Sequence, residues 1–126
     1  MDTITPFSSR TEYDPALLAF LKCHVTSFVR WDLFRLLADA DGRWFDPDDL
    51  SRRLQKPRSV VETALIELAD EDLVDRRTLP SGPVYRLDPA GPTARVVDRL
   101  VTAARRSQEF RQLIVARVVA QARVAS

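Results

Sequence analysis

Residues 46–74 read DPDDLSRRLQKPRSVVETALIELADEDLV. Asp46 stands where a helix wants an N-cap, because its carboxylate can accept from the free amides of the first turn, and Pro47 brings the fixed φ of a first helical residue. Asp48 and Asp49 add negative charge at the positive end of the helix dipole. A short helix is therefore predicted through about Gln55. Pro57 breaks it, having no N–H to donate, and Arg58-Ser59 opens another helix on which Val61, Ala64, Leu65, Leu68 and Ala69 form an apolar stripe that ends in Leu73-Val74. Two helices joined by a tight turn form the centre of the chain.

The flanks extend this pattern. Residues 73–88, LVDRRTLPSGPVYRLD, set two short runs around Pro-Ser-Gly-Pro, with Pro80 and Pro83 restricting the loop and Gly82 free to take positive φ. Strands are predicted over 74–79 and 84–88, with an exposed tip. Upstream, in ADADGRWF (residues 38–45), Gly42 can supply a left-handed closing residue and Arg43-Trp44-Phe45 can extend briefly as a strand. Before that, Asp14-Pro15 repeats the N-cap signature, and Leu17, Leu21, Val25, Phe28, Leu33, Leu36 and Leu37 keep helical spacing, as one long helix or two end to end. Residues 1–13 lack periodicity and read as a flexible N-terminal arm. From Gly91-Pro92 to the end there is no helix breaker, and Val96, Leu100, Ala103, Phe110 and Ile114 share a face. A C-terminal helix is predicted over about 92–123.

With 126 residues, 45% of them hydrophobic, the chain can build one core. Residues 14–126 are accordingly read as a single domain, mainly α with a small β-hairpin, an α+β class. No apolar run approaches a membrane span, and MDTITPFSSR lacks the layout of a secretory signal, so a cytoplasmic location is expected. Cys23 and His24 are the only residues of their types, which leaves no structural zinc and no disulfide within the chain. They lie together in an apolar helical stretch, where Cys23 is expected to pack as a small hydrophobe. Trp31, Trp44 and Phe45 are expected in core or boundary packing. There is no glycine-rich phosphate loop and no nucleophile with a base nearby, so neither enzymatic activity nor a cofactor is expected.

The stretch LFRLLADADGRWFDPDDLSRRLQKPRSVVETALIELADEDLVDRR (residues 33–77) resembles the winged helix-turn-helix core of bacterial regulators of the MarR and ArsR kinds. In those families a leucine-rich helix precedes a positioning helix like residues 47–54, then a recognition helix of the form of residues 60–74, then a hairpin wing. The resemblance covers about residues 29–88. It implies a winged helix-turn-helix with long flanking N- and C-terminal helices, and a transcriptional regulator that binds double-stranded DNA as a homodimer. The recognition helix, about 58–72, would enter the major groove, and the wing, 74–88, would lie on the backbone or in the minor groove. The candidate DNA contacts are Arg58, Ser59, Glu62 and Thr63 on the helix and Arg76 and Arg77 on the wing, with Arg86 and Lys56 as lesser ones. Asp72 stands where the family usually has a glycine, and Asp is among the better substitutes in left-handed conformation.

Charge points two ways. Residues 1–92 hold 12 Lys and Arg against 16 Asp and Glu, a balance of −4, whereas residues 93–126 hold 7 against 2, a balance of +5. Between Arg58 and Val74 one basic residue faces Glu62, Glu67, Asp70, Glu71 and Asp72, and such a helix repels phosphate unless its acids point away. Ile66 can offer a thymine methyl only apolar contact, and an exposed isoleucine flanked by acids also suits a protein partner. The alternative function is therefore a winged-helix module that binds protein without DNA. For the homodimer, the candidate surfaces are Leu17 and Leu21 on the first helix and Val96, Leu100, Phe110 and Ile114 on the last, unless these faces pack on each other within one chain.

Overall fold

In a computed structural model, which describes residues 14–125, six helices and one two-stranded antiparallel sheet follow the order α1 (Pro15–His24), α2 (Phe28–Asp39), α3 (Pro47–Leu54), α4 (Arg58–Asp70), β1 (Asp75–Leu79), β2 (Gly82–Arg86), α5 (Pro92–Arg106) and α6 (Gln108–Ala125). Residues 1–13, read as a flexible arm, lie outside the described residues. No helix among the described residues is long and apolar enough to cross a membrane.

Side-chain caps start α1, α2 and α3. Asp14 accepts from the Ala16 amide at 2.7 Å to start α1, and Asp46 accepts from the Asp49 amide at 2.7 Å to start α3. Ser27, in extended conformation, accepts from the Arg30 amide at 3.2 Å, so the first helical run is two helices rather than one. Helix α4 closes with Asp72 left-handed at φ 61°, and the Leu73 amide donates to the Leu68 carbonyl at 2.9 Å. Asp72 thus takes the conformation expected of it.

The predicted single helix over 92–123 is in fact α5 and α6. Ser107 leaves the helix at φ −128°, ψ 117°, and its hydroxyl accepts from the Phe110 amide at 3.1 Å. Serine needs no glycine or proline to interrupt a helix, because its side chain replaces the lost backbone bond. Arg111 closes the other side of the break by donating to the Ala104 carbonyl at 2.7 Å.

The hairpin pairs Asp75 with Arg86 through Leu79 with Gly82, leaving Pro80-Ser81 as a two-residue tip. Its second strand therefore begins two residues earlier than the predicted 84. Pro83 is tolerated there because backbone N–H groups alternate in direction along a strand. Tyr85, two residues on, directs its own N–H and C=O to Phe45, at 2.8 and 2.9 Å, and away from β1. Phe45 is the brief strand foreseen at Arg43-Trp44-Phe45, reduced to a single bridge. Gly42 takes φ 87°, a conformation that favours glycine, and a Cβ there would crowd the Pro89 ring at 3.0 Å.

Helix α3 packs on α4 and β2, α2 on α4 and α5, and α1 on α5 and α6. One core results, with Leu21, Leu33, Phe34, Leu50, Leu65, Leu68, Tyr85, Leu100 and Phe110 fully enclosed. The buried Tyr85 hydroxyl has no hydrogen-bond partner among the described residues. Tyr85→Phe is accordingly expected to raise stability by about 1 kcal/mol, read as a later urea midpoint, since an unsatisfied buried hydroxyl is removed with no change of ring shape.

Candidate nucleic-acid interface

The turn between α3 and α4 is built by Gln55 in left-handed conformation and by the Ser51 hydroxyl, which donates to the Lys56 carbonyl at 2.6 Å. It presents the start of α4 outward. Arg58, Ser59, Val60, Thr63 and Ile66 are exposed and Glu62 is half-buried, while Val61, Ala64, Leu65 and Leu68 face the core. All four helix residues expected to contact DNA therefore lie outside the core. Arg58 reaches Asp48 at 2.9 Å and Glu62 at 3.8 Å, so it is less free than the sequence suggests. Lys56 is half-buried and stands 4.0 Å from Asp32.

Two of the five acids of this segment are drawn back by a cation of another helix. Arg30, buried within α2 at 6% exposure, donates to Glu71 at 2.8 and 3.1 Å, to Glu67 at 3.2 Å and to the His24 carbonyl at 3.1 Å. His24 Nδ1 also stands 3.1 Å from Glu71. The Arg30 guanidinium, and after it His24, hold the Glu71 carboxyl below the usual carboxylate range against the opposing effect of burial. Glu67 and Glu71 are thus turned back onto the body of the protein. Of the five acids only Asp70 and Asp72 lack a cation partner among the described residues. Arg30 was missed in the sequence, although it sits on the stripe of Leu33, Phe34 and Leu37, where a charge must be paired to be tolerated.

On the hairpin, Arg76 and Arg77 are exposed and form no ion pair among the described residues. Their guanidinium groups lie over aromatic rings. Arg77 stands 4.5 Å from the Trp44 ring centre with Arg86 on the same ring at 4.9 Å, and Arg76 stands 6.0 Å from Tyr85. Arg43 and Arg53 lie over Phe45 at 5.0 and 5.3 Å. Trp44 is therefore a platform for cations as well as a boundary residue. Arg86 is also held by Asp75 at 3.1 Å. Trp44→Ala should cost about 1–2 kcal/mol of stability, measured by urea unfolding, since two cation–π contacts and the packing of the ring are lost together.

Helix and hairpin meet at Tyr85. Burial pushes its hydroxyl pKa up, Arg76 draws it down, and Glu62 and Asp70 raise it again, so charges of β1 and α4 act on one buried group.

The expected dimer surface is not available. Leu17, Leu21, Leu100, Phe110 and Ile114 are all buried within the core of the single chain, because α1 packs against α5 and α6, and Val96 is half-buried. The apolar residues left outside on this side are Phe28, Val115 and Val119. Phe28 and Val115 border a cavity of about 580 Å³ that Trp31, Arg35, Arg105 and Arg111 also line. Cys23, expected to pack, is exposed, since it lies about 200° around α1 from the buried Leu21. No protein-family model, curated protein or solved structure matches this chain.

Proposed function

We propose that this chain is a DNA-binding transcriptional regulator of winged helix-turn-helix architecture, with α4 entering the major groove and the hairpin lying on the backbone or in the minor groove. One observation carries the reading. Two of the five acids that would repel phosphate, Glu67 and Glu71, are drawn to the buried Arg30 and a third, Glu62, stands near Arg58, while Arg76 and Arg77 remain exposed without carboxylate partners among the described residues. The surface formed by α4 and β1 is thereby less acidic than its sequence. The Phe45–Tyr85 bridge adds support, because it anchors the hairpin beside α3 and α4 in the manner of a wing. A homodimer belongs to the proposal and would seat on Phe28, Val115 and Val119, three of the apolar groups that the core leaves exposed.

Titration of the ¹⁵N-labelled protein with mixed-sequence duplex at low salt tests this. Amide shifts are expected along the first two turns of α4 and along β1, with α6 little changed. The second reading, a protein-binding module, is favoured by the exposure of Val60 and Ile66, and it requires those amides to stay unmoved by DNA.

A further inference from the structure

Beyond Arg58 at its start, the outer face of α4 lacks the side chains that usually read guanine or adenine. Guanine is matched by a bidentate Arg or Lys and adenine by Asn or Gln. Helix α4 carries no Lys, Asn or Gln. Its one arginine, Arg58, is engaged by Asp48 and Glu62, and Glu67 is engaged by Arg30. What stands outward instead is short or apolar. Val60 is 44% and Ile66 37% exposed, one residue triplet before and after the exposed Thr63. The two aliphatic groups stand about 9 Å apart along the helix axis and about 120° apart around it, on either flank of Thr63. Around Val60, the residues Ser59, Thr63, Val29 and Glu67 line a shallow depression of about 370 Å³, with the Glu67 carboxylate held 3.2 Å from Arg30.

Among base edges in the major groove, the C5-methyl of thymine is the apolar group that such side chains can cover. Resting on the DNA-binding reading above, we infer that α4 selects its site through thymine methyl groups, with Val60 and Ile66 as the specificity-determining side chains. Ser59 and Thr63 supply hydroxyls to the polar edges or phosphates between them. Asp70 at the far end of the face sets the limit of the contact, since no cation among the described residues neutralises it.

The test begins with the best-bound duplex selected from a random pool, then remakes it with deoxyuridine in place of every thymidine, which removes the methyl groups and keeps the pairing. Affinity, read by fluorescence anisotropy, is expected to fall about fourfold for each methyl covered, hence more than tenfold for two. Val60→Ala with Ile66→Ala should bind the thymidine duplex more weakly and lose most of the discrimination, whereas Arg77→Ala should weaken both duplexes alike and keep it. Both aliphatic positions are exposed, so circular dichroism of the variants should match the parent. Tight binding with equal affinity for the two duplexes would overturn the inference and leave DNA binding standing. Absence of binding to any duplex at low salt would overturn both.

Discussion

Arg30→Met is expected to lower the free energy of unfolding by about 1–2 kcal/mol, because removal of the buried guanidinium leaves two part-exposed carboxylates without their counter-charge. The guanidinium contacts Glu67, Glu71 and the His24 carbonyl from a side chain only 8% exposed. The two carboxylates are better solvated, at 55% and 36%, which keeps the estimate below the cost of stranding fully buried charges. Methionine fills much of the vacated volume, so the loss reports charge more than cavity. Replacing Glu67 and Glu71 by glutamine in the same protein should recover part of it, since the stranded charges are then absent.

The same group gives a pH signature. Glu71 has its carboxyl pKa lowered in the folded state, by Arg30 first. Its contribution to stability is therefore complete above the unfolded-state value of about 4.3 and is lost as pH falls through the lower folded value. The urea midpoint of the parent should decline as pH is taken below about 4.5, and in Arg30→Met this part of the decline should be smaller. A functional consequence follows, because Glu67 and Glu71 released from Arg30 are free to face phosphate. The variant should bind DNA more weakly than its residual fold predicts, measured where circular dichroism shows it folded.

Arg76→Ala with Arg77→Ala has the largest expected effect on binding. Each phosphate contact contributes about 0.9 to the slope of log affinity against log salt, so two lost contacts should flatten it by about 1.8. At about 50 mM salt the loss is expected to be roughly 100-fold, shrinking as salt rises, and the same for every duplex sequence. Neither residue is buried or in an ion pair among the described residues, so stability should change by less than about 0.5 kcal/mol beyond the loss of the weak ring contacts. A fall in affinity confined to one sequence would instead place these arginines on base edges.

How far the fold was legible depended on the kind of signal. Asp46-Pro47, Pro57 and the left-handed Asp72 speak through local backbone chemistry, and α3, α4 and their turn stand where those residues put them. Ser107 carries the same kind of message in a weaker form: serine is neutral inside a helix and strong only as a cap, so the break between α5 and α6 was hidden. The stripe of Leu17, Leu21, Leu100, Phe110 and Ile114 correctly announced a covered face. Periodicity cannot say which surface covers it, and the covering surface is the chain itself.

The candidate site was legible in part for a related reason. Exposure of Ser59, Thr63, Arg76 and Arg77 follows from their being off the apolar stripe or on an edge strand, which local pattern reveals. The direction of Glu67 and Glu71 depends on Arg30, far away in the chain, and no local pattern encodes that pairing. The role of Trp44 was missed for the same reason, since Arg77 and Arg86 reach it only after the hairpin folds against residues 43–45.

Binding to duplex DNA as a function of salt tests the central proposal most directly. The parent protein should bind mixed-sequence duplex in fluorescence anisotropy at about 50 mM salt and lose most of that affinity by about 200 mM, with a slope of log affinity against log salt steeper than about −2. No measurable binding at the lower salt, with the protein folded, would contradict the proposal and turn the surface of α4 and β1 over to a protein partner.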